Sequence, residues 1–225
     1  MTLESDSILG GVGAILMLTP IFTVAIRPGG AVLGVIALIG FILVLVALHG
    51  LADYYKEDGI FENALYGFIV AMVGVVATAI AAIYVVFYTS IVKDFLYDIY
   101  PGWNGKWQSL AGLKPVAPNI IMSDITPGLV GALFSVLAIL WIFLIVSAFF
   151  NRRSLKTLST KASVKLFSTA GLLLLIGALL TIVFIGLVLI WIAVLLIAIA
   201  FFLMKPQPQQ PTAPAAAPPQ TPAPV

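Results

Sequence analysis

Cysteine is absent from this chain, histidine occurs once, and Asp, Glu, Lys and Arg together make up only 9% of its 225 residues. Each shortage excludes something. Without cysteine there is no disulfide, no thiolate metal ligand and no thiol nucleophile, and the redox compartment stays open. A soluble globular domain carries roughly 25% charged residues, so a chain this poor in charge cannot cover a water-facing surface, and its natural solvent is lipid. A net charge of +2 gives no basis for a nucleic-acid partner. The opening MTLESDS is acidic and contains no Lys or Arg. A cleaved signal peptide needs a basic start, so the N-terminus is expected to be retained.

What is present is apolar. Hydrophobic residues make up 62% of the chain, gathered into runs that suit membrane helices of about 20 residues. The expected fold is all-α, a polytopic transmembrane helix bundle with six spans near 7–26, 30–51, 63–92, 127–150, 166–183 and 187–204. An outer loop fills 93–126, and a Pro-, Ala- and Gln-rich tail, expected to be disordered and cytoplasmic, fills 205–225. The uncharged run 166–204 is too long for one bilayer crossing, so it is split into a hairpin turning near Phe184-Ile185-Gly186. One long tilted helix is the alternative, and it would put the C-terminus on the other side. The segment 151–167 carries Arg152, Arg153, Lys156, Lys161 and Lys165 without an acid. Read as a loop, it belongs in the cytoplasm by the positive-inside rule, which makes both termini cytoplasmic in a multi-pass cell-membrane protein.

Small residues recur four apart: Gly10 and Ala14, Gly30 and Gly34, Gly74, Thr78 and Ala82, Gly128 and Ala132, Gly177 and Thr181. In lipid such faces let helices approach closely. The GGVGA at 10–14 lacks the Lys and the preceding strand of a phosphate-binding loop. The first and last hairpins also look faintly alike, a pattern transporters share. No Asp, Glu, Lys or Arg lies inside any expected span, which weighs against ion-coupled transport, since relays need an ionisable group at mid-membrane. The expectation is a non-enzymatic structural or accessory subunit without a cofactor. Its partners are the lipid bilayer and either a second copy or another membrane component. A transporter or channel for a small neutral or hydrophobic solute is the alternative.

The polar residues concentrate at 49–65, HGLADYYKEDGIFENAL. His49, Asp53 and Glu57 stand at i, i+4 and i+8, so they share a face if the helix continues through them, and would then form a candidate divalent-metal site. The plainer reading is a helical elbow between two spans. In it Asp53 pairs with Lys56, Asp58-Gly59 ends the helix, and Glu62 and Asn63 start the next. Tyr54, Tyr55 and Tyr66 suit a membrane-interface belt, as do Trp103 and Trp107 in the outer loop, while Arg152, Arg153 and Lys156 suit the cytoplasmic headgroup level.

The pieces ESDSILGGVGAILML, ALHGLADYYKEDGIFENALYGFI and FIGLVLIWIAVLLIAIAFF resemble an uncharacterised family of archaeal multi-spanning membrane proteins, domain of unknown function 996. The likeness covers roughly 2–204, and the middle piece is its most specific part. The resemblance does not rest on the outer loop or the tail, and the zinc ribbon that ends some members cannot form without cysteine. The resemblance implies an archaeal integral membrane protein and carries no activity and no site residues.

Overall fold

The structure, a computed structural model, describes residues 2–24, 30–115 and 127–205, and among them every regular element is helical. The long helices are α1 (Leu3–Val24), α2 (Gly30–Tyr55) and α3 (Gly59–Tyr88), followed by the short α4 (Ile91–Ile99). After a 3-10 turn at Trp107–Gly112 come α5 (Pro127–Ala162), α6 (Lys165–Leu180) and, beyond a second 3-10 turn at Thr181–Val183, α7 (Ile185–Phe202). The tail 206–225 lies outside the described residues.

The helix ends have local causes. Thr2 and Ser5 cap α1 reciprocally: the Ser5 amide donates to the Thr2 hydroxyl at 3.3 Å, and the Thr2 amide donates to the Ser5 hydroxyl at 3.2 Å. In α3 the Asn63 amide donates to the Gly59 carbonyl at 2.6 Å, with Glu62 in the first turn. Pro127 opens α5, where a missing N–H costs nothing. Three reversals turn on non-glycine residues with positive φ: Lys56 (+51°), Ser163 (+57°) and Phe184 (+61°).

Several bounds differ from the expected ones. The helix α2 runs to Tyr55 and α3 begins at Gly59, so the elbow is only a few residues long. The basic segment is not a loop. The helix α5 continues through it to Ala162, because Arg, Lys and Leu are good helix formers and nothing before Ser163 interrupts them. The outer segment likewise holds α4. The reversal expected near 184–186 lies at 181–184.

The long helices form a ring of antiparallel neighbours, in the order α1, α2, α3, α5, α6, α7 and back to α1. The α1–α2 crossing is tight enough that a Cβ on Gly13 would lie 2.6 Å from the Gly40 carbonyl oxygen, and one on Gly40 equally close to that of Gly13. The α6–α7 hairpin closes by another glycine pair, Gly177 and Gly186. That pair sits beside its turn, whereas Gly13 and Gly40 meet far from theirs, so the two hairpins are built differently. Of the small-residue pairs, Gly10 receives Phe201 and Gly74 receives Phe143, but Gly34 faces open space.

The core gathers at one end of the ring, where Leu51, Ile60, Leu158, Phe167 and Phe201 are fully buried. Phe167 and Phe201 meet edge to face at 5.1 Å. The start of α1, the α2–α3 elbow, the α5–α6 turn and the end of α7 all meet at this closed end. Elsewhere large apolar side chains such as Ile80, Tyr84, Phe134 and Phe184 are exposed, an arrangement that water would punish and lipid would not. Among the described residues five helices are long and apolar enough to cross a membrane: Gly34–Tyr55, Gly59–Tyr88, Pro127–Ala162, Lys165–Val183 and Ile185–Phe202. The sixth expected span, 7–26, falls on α1, which is not among those five, and its last two residues lie outside the described ones.

Candidate functional site

The closed end carries the chain's polar chemistry, and the elbow decides its layout. Lys56 turns left-handed immediately after Tyr55, and the Glu57 amide donates back to the Ala52 carbonyl at 2.9 Å. The face shared by His49, Asp53 and Glu57 therefore ends one turn too soon. His49 Nε2 lies 4.0 Å from Asp53 Oδ2, both well exposed, but Glu57 is carried across to α5 and pairs with Lys161 at 2.8 Å. Among the described residues no three His, Asp or Glu side chains are placed to hold a metal ion. Lys56, spent on the reversal, forms no ion pair with Asp53 among the described residues. The His49 ring instead tilts over Phe61 at 4.7 Å.

The residues expected at the membrane interface divide. Tyr54 is exposed and stands edge to face with Tyr55, whose hydroxyl is buried without a partner among the described residues. Tyr66 is exposed beside Phe150. Trp103 is not an exposed anchor: only 4% of it is accessible. The outer segment folds on itself around this ring. Its indole N–H donates to the Lys106 carbonyl at 2.8 Å, and it packs between Tyr97 at 4.9 Å and Trp107 at 5.5 Å. Trp107, half-buried, also meets Phe87. Arg152 is half-buried where α5 meets α6 beside Gly171. Arg153 and Lys156 are exposed, with the Arg153 guanidinium 4.9 Å above the Phe149 ring.

One residue that sequence reasoning passed over is Asp6. It lies in the first turn of α1, just before the expected span 7–26, and is 1% accessible. Neither carboxylate oxygen has a hydrogen-bond partner among the described residues. Its neighbour is Gly50, where a Cβ would come within 2.4 Å of Oδ2. Burial raises the carboxyl pKa above its ordinary value; the amino terminus opposes this and Asp53 adds to it. The signal was present in Thr2 and Ser5, whose capping starts the helix early enough to place Asp6 on the face toward α2.

At the ring's centre all six long helices border a small apolar cavity of about 70 Å³, reached by Ala14, Phe41, Ala64, Ser154, Leu174 and Val194. Its polar neighbours are turned to backbone. Ser154 donates to the Ile60 carbonyl and Asn151 to the Ser147 carbonyl, while Ser147 donates to the Gly67 carbonyl at 2.8 Å. The two serine bonds tie α5 to α3, and the Asn151 bond stays within α5.

An all-helical ring with five membrane-length apolar helices and its polar residues at the ends is a polytopic helical bundle of membrane type. The family described as protein of unknown function (DUF996) matches residues 36–195, from α2 into α7, and the chain belongs to that family. It is similar to Uncharacterized protein MJ1644 of Methanocaldococcus jannaschii, with 28% identity over 202 residues, 90% of this chain and 93% of the relative. No solved structure matches it.

Proposed function

We propose that the protein is a non-enzymatic structural or accessory subunit of the cell membrane, crossing it six times with α1 from Ser7 onward as the sixth span and both termini cytoplasmic. The supporting observation is the closed centre. The helices converge on an apolar void of about 70 Å³ whose nearby hydroxyl and amide groups already bond to carbonyls. Such a centre suits helix packing and offers no polar path. The orientation is supported by Arg152, Arg153, Lys156, Lys161 and Lys165, which gather at the end where α1 starts and α7 stops. Affinity purification in mild detergent tests the reading. A stoichiometric partner or a homo-oligomer is expected, and a clean monomer would count against it.

A second reading, transport of a small neutral or hydrophobic solute, draws on the same void, because it lies where all six helices meet. Liposomes containing the protein that show no flux across a broad solute panel would remove that support.

A further inference from the structure

The extension of α5 beyond the expected span creates a surface that the loop reading did not contain. Between it and the α2–α3 elbow lies an open groove of about 470 Å³. Arg153, Lys156 and Lys161 come to it from α5, and Glu57 and Asn63 from the elbow side. Glu57 neutralises Lys161 at 2.8 Å. Among the described residues neither Arg153 nor Lys156 has a carboxylate within 4.0 Å, so the groove carries a net positive charge of two on one helical turn.

What lies below the groove identifies the kind of ligand. Ile142, Val146 and Phe149 are exposed apolar residues of α5. They precede Arg153 and Lys156 at alternating four- and three-residue spacing, which is one continuous stripe of a helix surface. The stripe is apolar up to Phe149 and basic from Arg153, with the guanidinium lying over the Phe149 ring at the changeover. Free phosphate would need only the basic part. A molecule with an anionic phosphate head and a long apolar chain would use both.

We propose that this groove seats the headgroup of an anionic phospholipid, with its phosphate between Arg153 and Lys156 and an acyl chain along Ile142, Val146 and Phe149. Arg153 supplies a planar fork of donors to phosphate oxygens and Lys156 a point charge beside it. Glu57 limits the charge by holding Lys161. The proposal rests only on the bundle being membrane-embedded and holds whether the protein is a subunit or a carrier.

Native mass spectrometry of the full chain released from detergent counts the lipids bound as phosphatidylglycerol or phosphatidylcholine is titrated in. Phosphatidylglycerol should bind the wild type more tightly than phosphatidylcholine. Each surface cation is worth roughly a fivefold change in affinity for anionic lipid, so Arg153→Gln with Lys156→Gln should weaken phosphatidylglycerol binding roughly thirtyfold while leaving phosphatidylcholine unchanged. Lys106→Gln with Lys114→Gln removes the same charge from the opposite end and should change neither lipid. Glu57→Gln should tighten phosphatidylglycerol binding roughly fivefold by the same reckoning. Four results would each overturn the proposal: undiminished phosphatidylglycerol binding in the groove variant, an equal loss in the Lys106/Lys114 variant, equal binding of the two lipids by the wild type, or displacement of the lipid by equimolar inorganic phosphate.

Discussion

Asp6 gives the sharpest test of the packing, because the structure places a carboxylate where its charge is costly. Two oxygens lose their water and gain no donor among the described residues. Leaving a buried polar group unsatisfied costs about 1–3 kcal/mol, and more for a charge. Against this, an acid in the first turn of a helix gains about 0.3–1 kcal/mol from the helix dipole, so the desolvation wins. The folded pKa is raised, so between the unfolded carboxyl's value of about 4 and the folded one the native state holds a proton that the unfolded state has lost. Stability must then fall as pH rises through that window and level off above it. Asp6→Asn removes the titration and should flatten the curve, and Asp6→Ala should stabilise the protein near neutral pH by about 1–2 kcal/mol. Gly50→Ala brings a methyl to 2.4 Å from Oδ2. It should cost about 1–3 kcal/mol in the wild type and much less in the Asp6→Ala background, because the two residues touch. Unfolding in detergent, followed by tryptophan fluorescence across pH, measures the wild type and the four variants. A wild-type stability that rises with pH from 4, or an Asp6→Ala protein weaker at pH 7, would show that the carboxylate is satisfied and the reasoning wrong.

At the α1–α2 crossing, Gly40→Val should destabilise by about 3 kcal/mol or more in the same assay, since overpacking alone costs about 1–3 kcal/mol and here the added atoms meet the Gly13 carbonyl. Ser163→Gly should stabilise by about 1 kcal/mol, because an L-residue in the left-handed region costs that much or more and the Ser163 side chain is exposed. At the elbow, Asp53→Asn and Glu57→Gln should each shift stability by less than about 1 kcal/mol, the range of exposed ion pairs. Zn²⁺ or Mn²⁺ should raise the melting temperature of the wild type no more than that of the double variant; a rise that vanishes in His49→Ala would restore the metal site.

The apolar runs were legible because lipid solvation demands them, and they mark the long helices well. Helix ends beyond the apolar runs were not. In 151–162 the charges bear on which side of a membrane the segment prefers and say nothing about its backbone, so neither the helix nor the groove beside Lys156 is legible there. The same blindness produced the candidate set His49, Asp53 and Glu57. Its spacing is right for a helix, but the helix stops at Tyr55 on a left-handed Lys56, a residue type that carries no turn signal. Trp103 was placed by the habits of tryptophan near membranes, whereas its burial depends on contacts with Tyr97 and Trp107 that spacing does not reveal. Asp6 needed the pairing of α1 with α2 and the bare surface of Gly50 before its burial could be seen.

The closed, basic end of the bundle, where α1 starts and α7 stops, is proposed to face the cytoplasm. Because the chain has no cysteine, Asn104→Cys and Lys205→Cys each introduce a single thiol. Labelling intact cells with a membrane-impermeant maleimide should mark the Asn104→Cys protein and leave the Lys205→Cys protein unmarked until the membrane is opened. Labelling of Lys205→Cys from outside, or protection of Asn104→Cys, would contradict the orientation and the six-span arrangement together.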